Sequence, residues 1–321
     1  MITRQQPIGS GFSAASTADD VMSGVNLGGR TAVVTGGYSG IGLVTVRSLA
    51  AAGARVVVPA RDRARAEAAL DGVTGAMVAD MDLTAPGSIL AFASQMRDEA
   101  RSVSILVNSA GVMATSLFRD PDGHEGQFAT NHLGHFRLTC ALWPLLTAEG
   151  GRVVAVSSRG HQIAGIDFDD IDFLRRPYDK WAAYGQSKTA NALFAMALDR
   201  RGAANGVRAF SLHPGQILTD LARHLSEEEI AGFEALDAEG QPIIDPDRGM
   251  KSLDQGAATS LWCATSPSLA ELGGVYCEDC DIAPLNTGET GRRGVAARAA
   301  DIDLAERLWT ISEEWTGESL R

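Results

Sequence analysis

Five short runs of apolar, largely β-branched residues recur along the first half of the chain: TAVVT (31–35), RVVVPA (55–60), AMVAD (76–80), VSILVN (103–108) and GRVVAVSS (151–158). They are continuous rather than alternating, which is the pattern of strands buried on both faces of a parallel sheet. Helix-like stretches separate them, and repeated strand–helix–strand units close into a doubly wound sheet with helices on both faces. The rhythm continues with an alanine- and arginine-rich helix over 62–71, a helix over 181–203, a strand over 207–212 and a helix over 254–265. GGVYC (273–277) is predicted as the last strand. Thr84, two residues before Pro86, reads as a helix N-cap.

One α/β domain over 29–285 is therefore expected. A Ser/Gly/Ala/Thr-rich extension (1–28) precedes it, packed on the domain or partly mobile. A tail (286–321) follows, with an amphipathic helix near 301–315 whose Leu304, Leu308, Trp309 and Ile311 are expected to pack on the chain's own domain. Two stretches break the rhythm, 159–180 and 216–252. Connections this long inside a compact domain are usually functional. The second mixes apolar anchors (Leu218, Leu221, Leu225, Phe233, Leu236) with polar residues and is the candidate substrate lid, while the acidic run Glu227-Glu228-Glu229 is predicted to be a solvated helix face.

The 321 residues carry a net charge of −12, which argues against a nucleic-acid surface and against docking to anionic membranes. No run approaches the roughly 18 apolar residues of a membrane helix, and the first residues lack the apolar core of a signal peptide, so the expected location is the cytoplasm. Four cysteines, Cys140, Cys263, Cys277 and Cys280, are too few and scattered for a disulfide framework. Cys277 and Cys280 could be half of a zinc site, but no second cysteine pair exists, and no metal is predicted.

The first strand runs into Thr35-Gly36-Gly37-Tyr38-Ser39-Gly40-Ile41-Gly42. Glycines let the backbone turn tightly and approach a pyrophosphate, and the helix that follows offers unpaired N–H groups and the positive end of its dipole. That places a dinucleotide at the start of a Rossmann-type domain. A tight turn, or another nucleotide ligand such as S-adenosylmethionine, is the alternative. The second strand ends Pro59-Ala60-Arg61-Asp62. Ala60 stands where a carboxylate would select NAD through the ribose 2′-hydroxyl, and Arg61 can meet a 2′-phosphate, which predicts NADP(H). Asp62 tempers this by repulsion unless it caps the next helix.

Tyr184-Gly185-Gln186-Ser187-Lys188 places tyrosine and lysine four apart on one helix face. A free tyrosine ionises near 10; an adjacent ammonium favours the phenolate, so Lys188 is expected to lower that value. Together with the Thr-Gly-x-x-x-Gly-x-Gly turn, the Asn108-Ser109-Ala110-Gly111 turn, Ser158 after the fifth strand, and His213-Pro214-Gly215 after the sixth, the chain resembles the short-chain dehydrogenase/reductase family over roughly 30–280. The retinol-dehydrogenase-like group is suggested by ILVNSAGVM (105–113), NHLGHF (131–136), VSSRGH (156–161) and YGQSKTAN (184–191).

The resemblance implies a carbonyl–alcohol oxidoreductase acting on a small apolar substrate. It makes Tyr184 the general acid/base and has Lys188 hold the nicotinamide ribose. Ser158, in preference to Ser157, orients the substrate oxygen, and Asn131 holds a relay water. The implied cofactor contacts are Gly36, Tyr38, Ser39, Gly40, Ile41, Gly42, Arg61, Asp82, Leu83, Asn108, Ala110, Gly111, Tyr184, Lys188, Pro214, Gly215, Ile217 and Thr219. The resemblance also implies a homodimer or homotetramer formed through the helices after the fourth and fifth strands. Reduction of a C=C bond, epimerisation or dehydration keep the same residues, and a non-catalytic NADP(H)-sensing module keeps the fold. His132 and His135 are expected in packing roles; His161 either touches substrate or lies in a solvated loop.

Overall fold

The computed structural model describes residues 3–100, 102–233, 235–237, 239–288 and 291–321. Its strands are β1 (Thr31–Thr35), β2 (Arg55–Ala60), β3 (Ala76–Asp80), β4 (Ile105–Asn108), β5 (Arg152–Val156), β6 (Arg208–His213), β7 (Val275–Glu278), β8 (Asp281–Ile282), β9 (Leu285–Asn286) and β10 (Val295–Ala296). The helices are α1 (Ala18–Met22), α2 (Gly40–Ala51), α3 (Arg63–Ala69), α4 (Pro86–Glu99), α5 (Gly126–Phe128), α6 (Gly134–Thr147), α7 (Lys180–Gly202), α8 (Glu227–Gly232), α9 (Leu253–Thr265) and α10 (Ile302–Thr316). A π-helical turn, Ala129–Leu133, joins α5 to α6.

The main sheet has the order β3-β2-β1-β4-β5-β6-β7-β8, parallel through β7 with β8 antiparallel at the edge. The chain winds outward from β1 to β3, then returns to place β4 on the other side of β1. That reversal opens a crevice at the carboxyl ends of β1 and β4, where ligands bind in such sheets. One face of the sheet packs on α4, α6 and α7 through Phe92, Leu106, Phe136 and Phe194; the other packs on α2 and α9 through Val46, Leu49, Phe210 and Trp262.

Several expectations change. Ala85, not Thr84, is the N-cap of α4; Thr84 donates its backbone N–H and hydroxyl to Asp82 Oδ1 instead. β7 is not the last strand, because a tight turn through Asp279 and Cys280, both at positive φ, returns the chain as β8. β9 and β10 then pair with each other, each only two residues long and too short to leave a pattern. The first residues pack on the domain: Gln5 bonds the Tyr276 backbone, and α1, fixed by a capping box at Thr17 and Asp20, buries Ala18 and Val21.

The tail helix α10 lies along α7 and α6. Trp309 stacks on Phe194 and meets Phe136 edge-on, His132 bonds Ser312, and Arg137 donates to Thr316 O. The two helices expected to meet a partner subunit are thus covered by the chain's own C-terminus.

Candidate active site

A cleft of about 770 Å³ opens over the carboxyl ends of the strands. Its floor begins at the turn after β1. Gly36 has φ +66°, and a Cβ there would lie 2.9 Å from Ala110 Cα; a Cβ on Gly42 would lie 2.3 Å from Gly36 O. No larger residue fits either place, so the backbone of the turn, the start of α2 and the 108–111 turn form one close-packed cradle. Thr35 holds it together. Its hydroxyl accepts the N–H groups of Ser109 and Ala110, each at 3.0 Å, and donates to His135 Nε2 at 2.9 Å. His135 can accept there because its Nδ1–H is given to Asn131 O. The cradle has the shape and the free N–H groups that a pyrophosphate needs.

Gly36, Tyr38, Ser39, Gly40, Ile41, Gly42, Arg61, Asp82, Leu83, Ala110, Gly111, Pro214, Gly215, Ile217 and Thr219 all line the cleft, as do Ser158, Tyr184 and Lys188. Asn108 and Asn131 do not. Asn108 is buried beneath the cleft with neither side-chain atom hydrogen-bonded. The Asn131 side chain is fully engaged: it accepts from Val112 N–H and donates to Val112 O and Ser187 Oγ. Asp62 caps α3 by accepting from Arg65 N–H. Arg65, which the sequence reading missed, lines the cleft beside Arg61, reaches over the Tyr38 ring and pairs with Asp220. The signal was available: a cap at Asp62 places Arg65 one turn in, at the end facing the crevice.

Tyr184 and Lys188 face the cleft from the second and third turns of α7, which Asp179 caps. Lys188 Nζ donates to Val156 O at 3.0 Å and lies 5.7 Å from the centre of the Tyr184 ring. The two adjacent serines diverge. Ser157 donates to Lys188 O at 2.6 Å, whereas the Ser158 hydroxyl accepts from Gly160 N–H and hydrogen-bonds Tyr184. Burial is the largest influence on both members of the pair, pushing Tyr184 up to about 12 and Lys188 down to about 8. The expected lowering of the tyrosine is therefore not the net direction. Removing a phenolate from water costs more than an ammonium across the ring returns, and the Ser158 hydrogen bond offsets only part.

A family profile described as short chain dehydrogenase matches residues 30–230. The chain belongs to the short chain dehydrogenase family. A Streptomyces antibioticus protein named as an oxidoreductase is 45% identical over 294 residues, covering 89% of this chain and 97% of that one. Retinol dehydrogenase 12 of Mus musculus is 37% identical over 305 residues, covering 91% and 88%, which places the chain in the retinol-dehydrogenase-like group. A solved structure from Mycobacterium Paratuberculosis superposes with a TM-score of 0.72 at 34% identity, covering 96% of this chain and 99% of that one. Family membership makes this chain an oxidoreductase with a nicotinamide nucleotide cofactor, and the glycine cradle fits that group.

The far end of the cleft has apolar walls: Met113, Phe118, Ile163, Trp181, and, from the 216–252 segment, Leu218, Leu221, Leu225, Ile230 and Phe233. Four of the five predicted lid anchors face the cleft; Leu236 instead faces a small hollow beside Ile230. Glu229 is not a free solvated residue. It completes a capping box with Ser226 and pairs with Lys180 at 2.6 Å. His132 and His161 are both 1% exposed, so His161 is neither a solvated loop residue nor a cleft-lining one. Cys277 and Cys263 are in contact and Cys280 bonds Thr259, all deeply buried, with thiol ionisation of Cys277 and Cys280 suppressed by burial. Among the described residues no helix is long and apolar enough to cross a membrane.

Proposed function

We propose that this protein is an NADP(H)-dependent reductase of apolar aldehydes or ketones, running also in the alcohol-oxidising direction. The observation that carries this reading is the placement of Ser158, Tyr184 and Lys188 in one cleft with the glycine cradle, between paired arginines at one end and apolar walls at the other. Bound NADPH supplies the hydride. The phenol of Tyr184, held protonated at neutral pH by burial, donates its proton to the carbonyl oxygen, which the Ser158 hydroxyl orients. Lys188 holds the ribose, and its charge steadies the phenolate as the proton leaves. Asn131, through Val112 and Ser187, fixes the wall opposite rather than presenting a free atom to the cleft. Arg61 and Arg65 meet the 2′-phosphate, with Asp62 turned into its helix cap.

The neutral phenol favours proton donation over proton abstraction at pH 7, which favours reduction as the faster direction. The test is NADPH consumption with decanal, para-nitrobenzaldehyde and aryl ketones, repeated with NADH. Turnover with none of these carbonyls, or a preference for NADH, would overturn the reading.

A further inference from the structure

We propose that His161 and His213 form a clamp on the peptide unit between Ser158 and Arg159, and so act as positioning residues for the Ser158 hydroxyl. The two histidines come from different elements. His161 lies in the short 3-10 turn Arg159–Gln162 after β5, and His213 ends β6. The carbonyl of Ser158 accepts from His161 Nδ1 at 2.7 Å, and the N–H of Arg159, the other end of the same peptide, is donated to His213 Nδ1 at 3.1 Å. One imidazole holds the oxygen and the other holds the hydrogen.

The remaining partners fix the two rings in opposite tautomers. Ala296 N–H donates to His161 Nε2 at 3.0 Å, so Nε2 is bare and the proton sits on Nδ1, where Ser158 O receives it and the Tyr276 hydroxyl lies 3.2 Å away. His213 accepts at Nδ1, so its proton sits on Nε2, which has no partner. Both rings are deeply buried, at 1% and 5% exposure. Arg159 and Arg298 around His161, and Arg159 and Lys251 around His213, add to burial in keeping the rings neutral. A charged His213 could not accept, and a charged His161 could not hold Ala296.

The clamp acts on chemistry because of where the peptide lies. Ser158 is the last residue before the chain turns out of the sheet, and its hydroxyl is aimed by two bonds, to Gly160 N–H and to Tyr184. Rotation of the following peptide would carry Gly160 and the hydroxyl away from the phenol. Through Ala296 the same imidazole ties β10, and with it the C-terminal tail, to the active serine. The inference rests on the reading of Ser158 given above.

Asparagine reproduces the Nδ1 position of histidine, as donor at 161 and as acceptor at 213; leucine reproduces neither. With NADPH and para-nitrobenzaldehyde, His161→Leu and His213→Leu should each lower kcat about ten- to hundredfold, the cost of displacing a catalytic group by up to an ångström. Their aldehyde KM and NADPH Kd should stay near the parent values. His161→Asn and His213→Asn should keep most of kcat, although His161→Asn loses the Ala296 bond and some thermal stability. In the cofactor-free protein, nitrogen-labelled histidine NMR should show His161 as the Nδ1–H tautomer and His213 as the Nε2–H tautomer. Asparagine variants as impaired as the leucine variants, leucine variants with full kcat, or the reverse tautomers would overturn the clamp. If a leucine variant fails to fold, the asparagine variants and the NMR decide. Ser158→Ala separates the two readings: full turnover there removes the role of Ser158 itself, whereas lost turnover with unaffected leucine variants removes the clamp alone.

Discussion

At one end of the cleft Thr35, Asn131, His135, Ser187 and the 108–111 turn form one hydrogen-bonded group, in which the side chains of Thr35, Asn131, His135 and Ser187 each fix backbone. At the other end Leu218, Leu221, Leu225 and Phe233 stand on an irregular backbone whose short α-helix, α8, buries none of its residues and is flanked by 3-10 turns at Asp220–Ala222 and Pro246–Arg248. That segment is stapled at its base, where Gln216 N–H meets Gly249 O and Lys251 N–H meets Gln216 O; above the base its backbone bonds within the segment itself, as from Ile243 N–H to Ala235 O and from Asp237 N–H to Gln241 O. We propose that the cofactor half is a rigid mould and the substrate half a flap on a fixed hinge. Rigidity where the reacting groups must be aligned, and looseness where an apolar molecule must get in and out, is the division of labour that lid-gated catalysis requires.

Acid should break the rigid half first, and this is the largest effect we expect. Burial depresses His132 to about 3 and His135 and His161 to about 4, and it holds His213 well below the usual histidine value. His135 bonds Thr35 in the cradle and His213 lines the cleft, while the 216–252 segment holds only the largely exposed His224. Above pH about 6.5, the unperturbed histidine value, neither folded nor unfolded chain binds these protons. Below it the unfolded chain takes them up and the folded chain does not, so stability falls as pH drops toward 4. Glu125, pushed up by burial, and His124, raised against the cost of burial by the hydrogen bond and charge of Asp172, work in the opposite sense but are two groups against four. Thermal unfolding followed from pH 8 to pH 4.5 should show a plateau and then a steep decline; a flat profile would mean the four rings are not held neutral.

Tyr184→Phe comes next. It keeps the ring against Gly160 and Trp181 and removes only the hydroxyl. Loss of a general acid costs about 10²–10⁴-fold. We expect kcat to fall by that amount with NADPH affinity unchanged, because the mould does not depend on the phenol. Fluorescence titration with NADPH beside steady-state kinetics checks both halves of the statement, and undiminished turnover would remove Tyr184 from the mechanism.

The same contrast explains what could be read in advance. The bounds of β1 and β2 agree with the sequence runs because a strand buried on both faces must be apolar throughout; those of β3 agree as well, although this edge strand buries only Ala79. The glycine turn was legible because Gly36 and Gly42 answer to backbone contacts that admit no side chain. Tyr184 and Lys188 were legible from their helical spacing only together with the motifs around them, and the sign of the tyrosine shift was not, since burial is a property of the packed cleft. Arg65, Trp181 and the diverging serines required the path of the backbone. The two-residue strands β8 to β10 left no period to detect, and the covering of α6 and α7 by α10 depended on where an ordinary amphipathic stripe would dock.

Cofactor choice tests the outer edge of the mould, with a smaller effect. A charge-assisted hydrogen bond is worth roughly 1.5–3 kcal/mol, so Arg61→Ala should erode NADPH preference by about ten- to hundredfold. Ala60→Asp should do so by repulsion. Arg65→Ala should cost less, because Arg65 must leave Asp220 to reach a phosphate. Ratios of kcat/KM for NADPH and NADH measure all three, and an unchanged ratio in Arg61→Ala would show that the selector lies elsewhere.

The smallest effect concerns the flap itself. Lys180 is the first residue of α7, so its ion pair with Glu229 ties α8 to the helix that carries Tyr184, next to the edge-on contact of Trp181 with Phe233. Glu229 has two duties: one oxygen meets Lys180, and the other accepts Ser226 N–H in the capping box. Glutamine can keep the cap while losing the charge, so Glu229→Gln isolates the tie. Both side chains are about a third exposed, and pairs of that kind contribute little. We therefore expect the KM for an apolar aldehyde to rise only about two- to fivefold, with kcat unchanged and faster hydrogen exchange confined to 216–252. Salt should erase the difference, because screening loosens the parent flap to match the variant. A rise in KM that persists at 1 M salt would mean that Glu229 shapes the cap rather than the tie, and a fall in kcat would mean that the flap belongs to the rigid half after all.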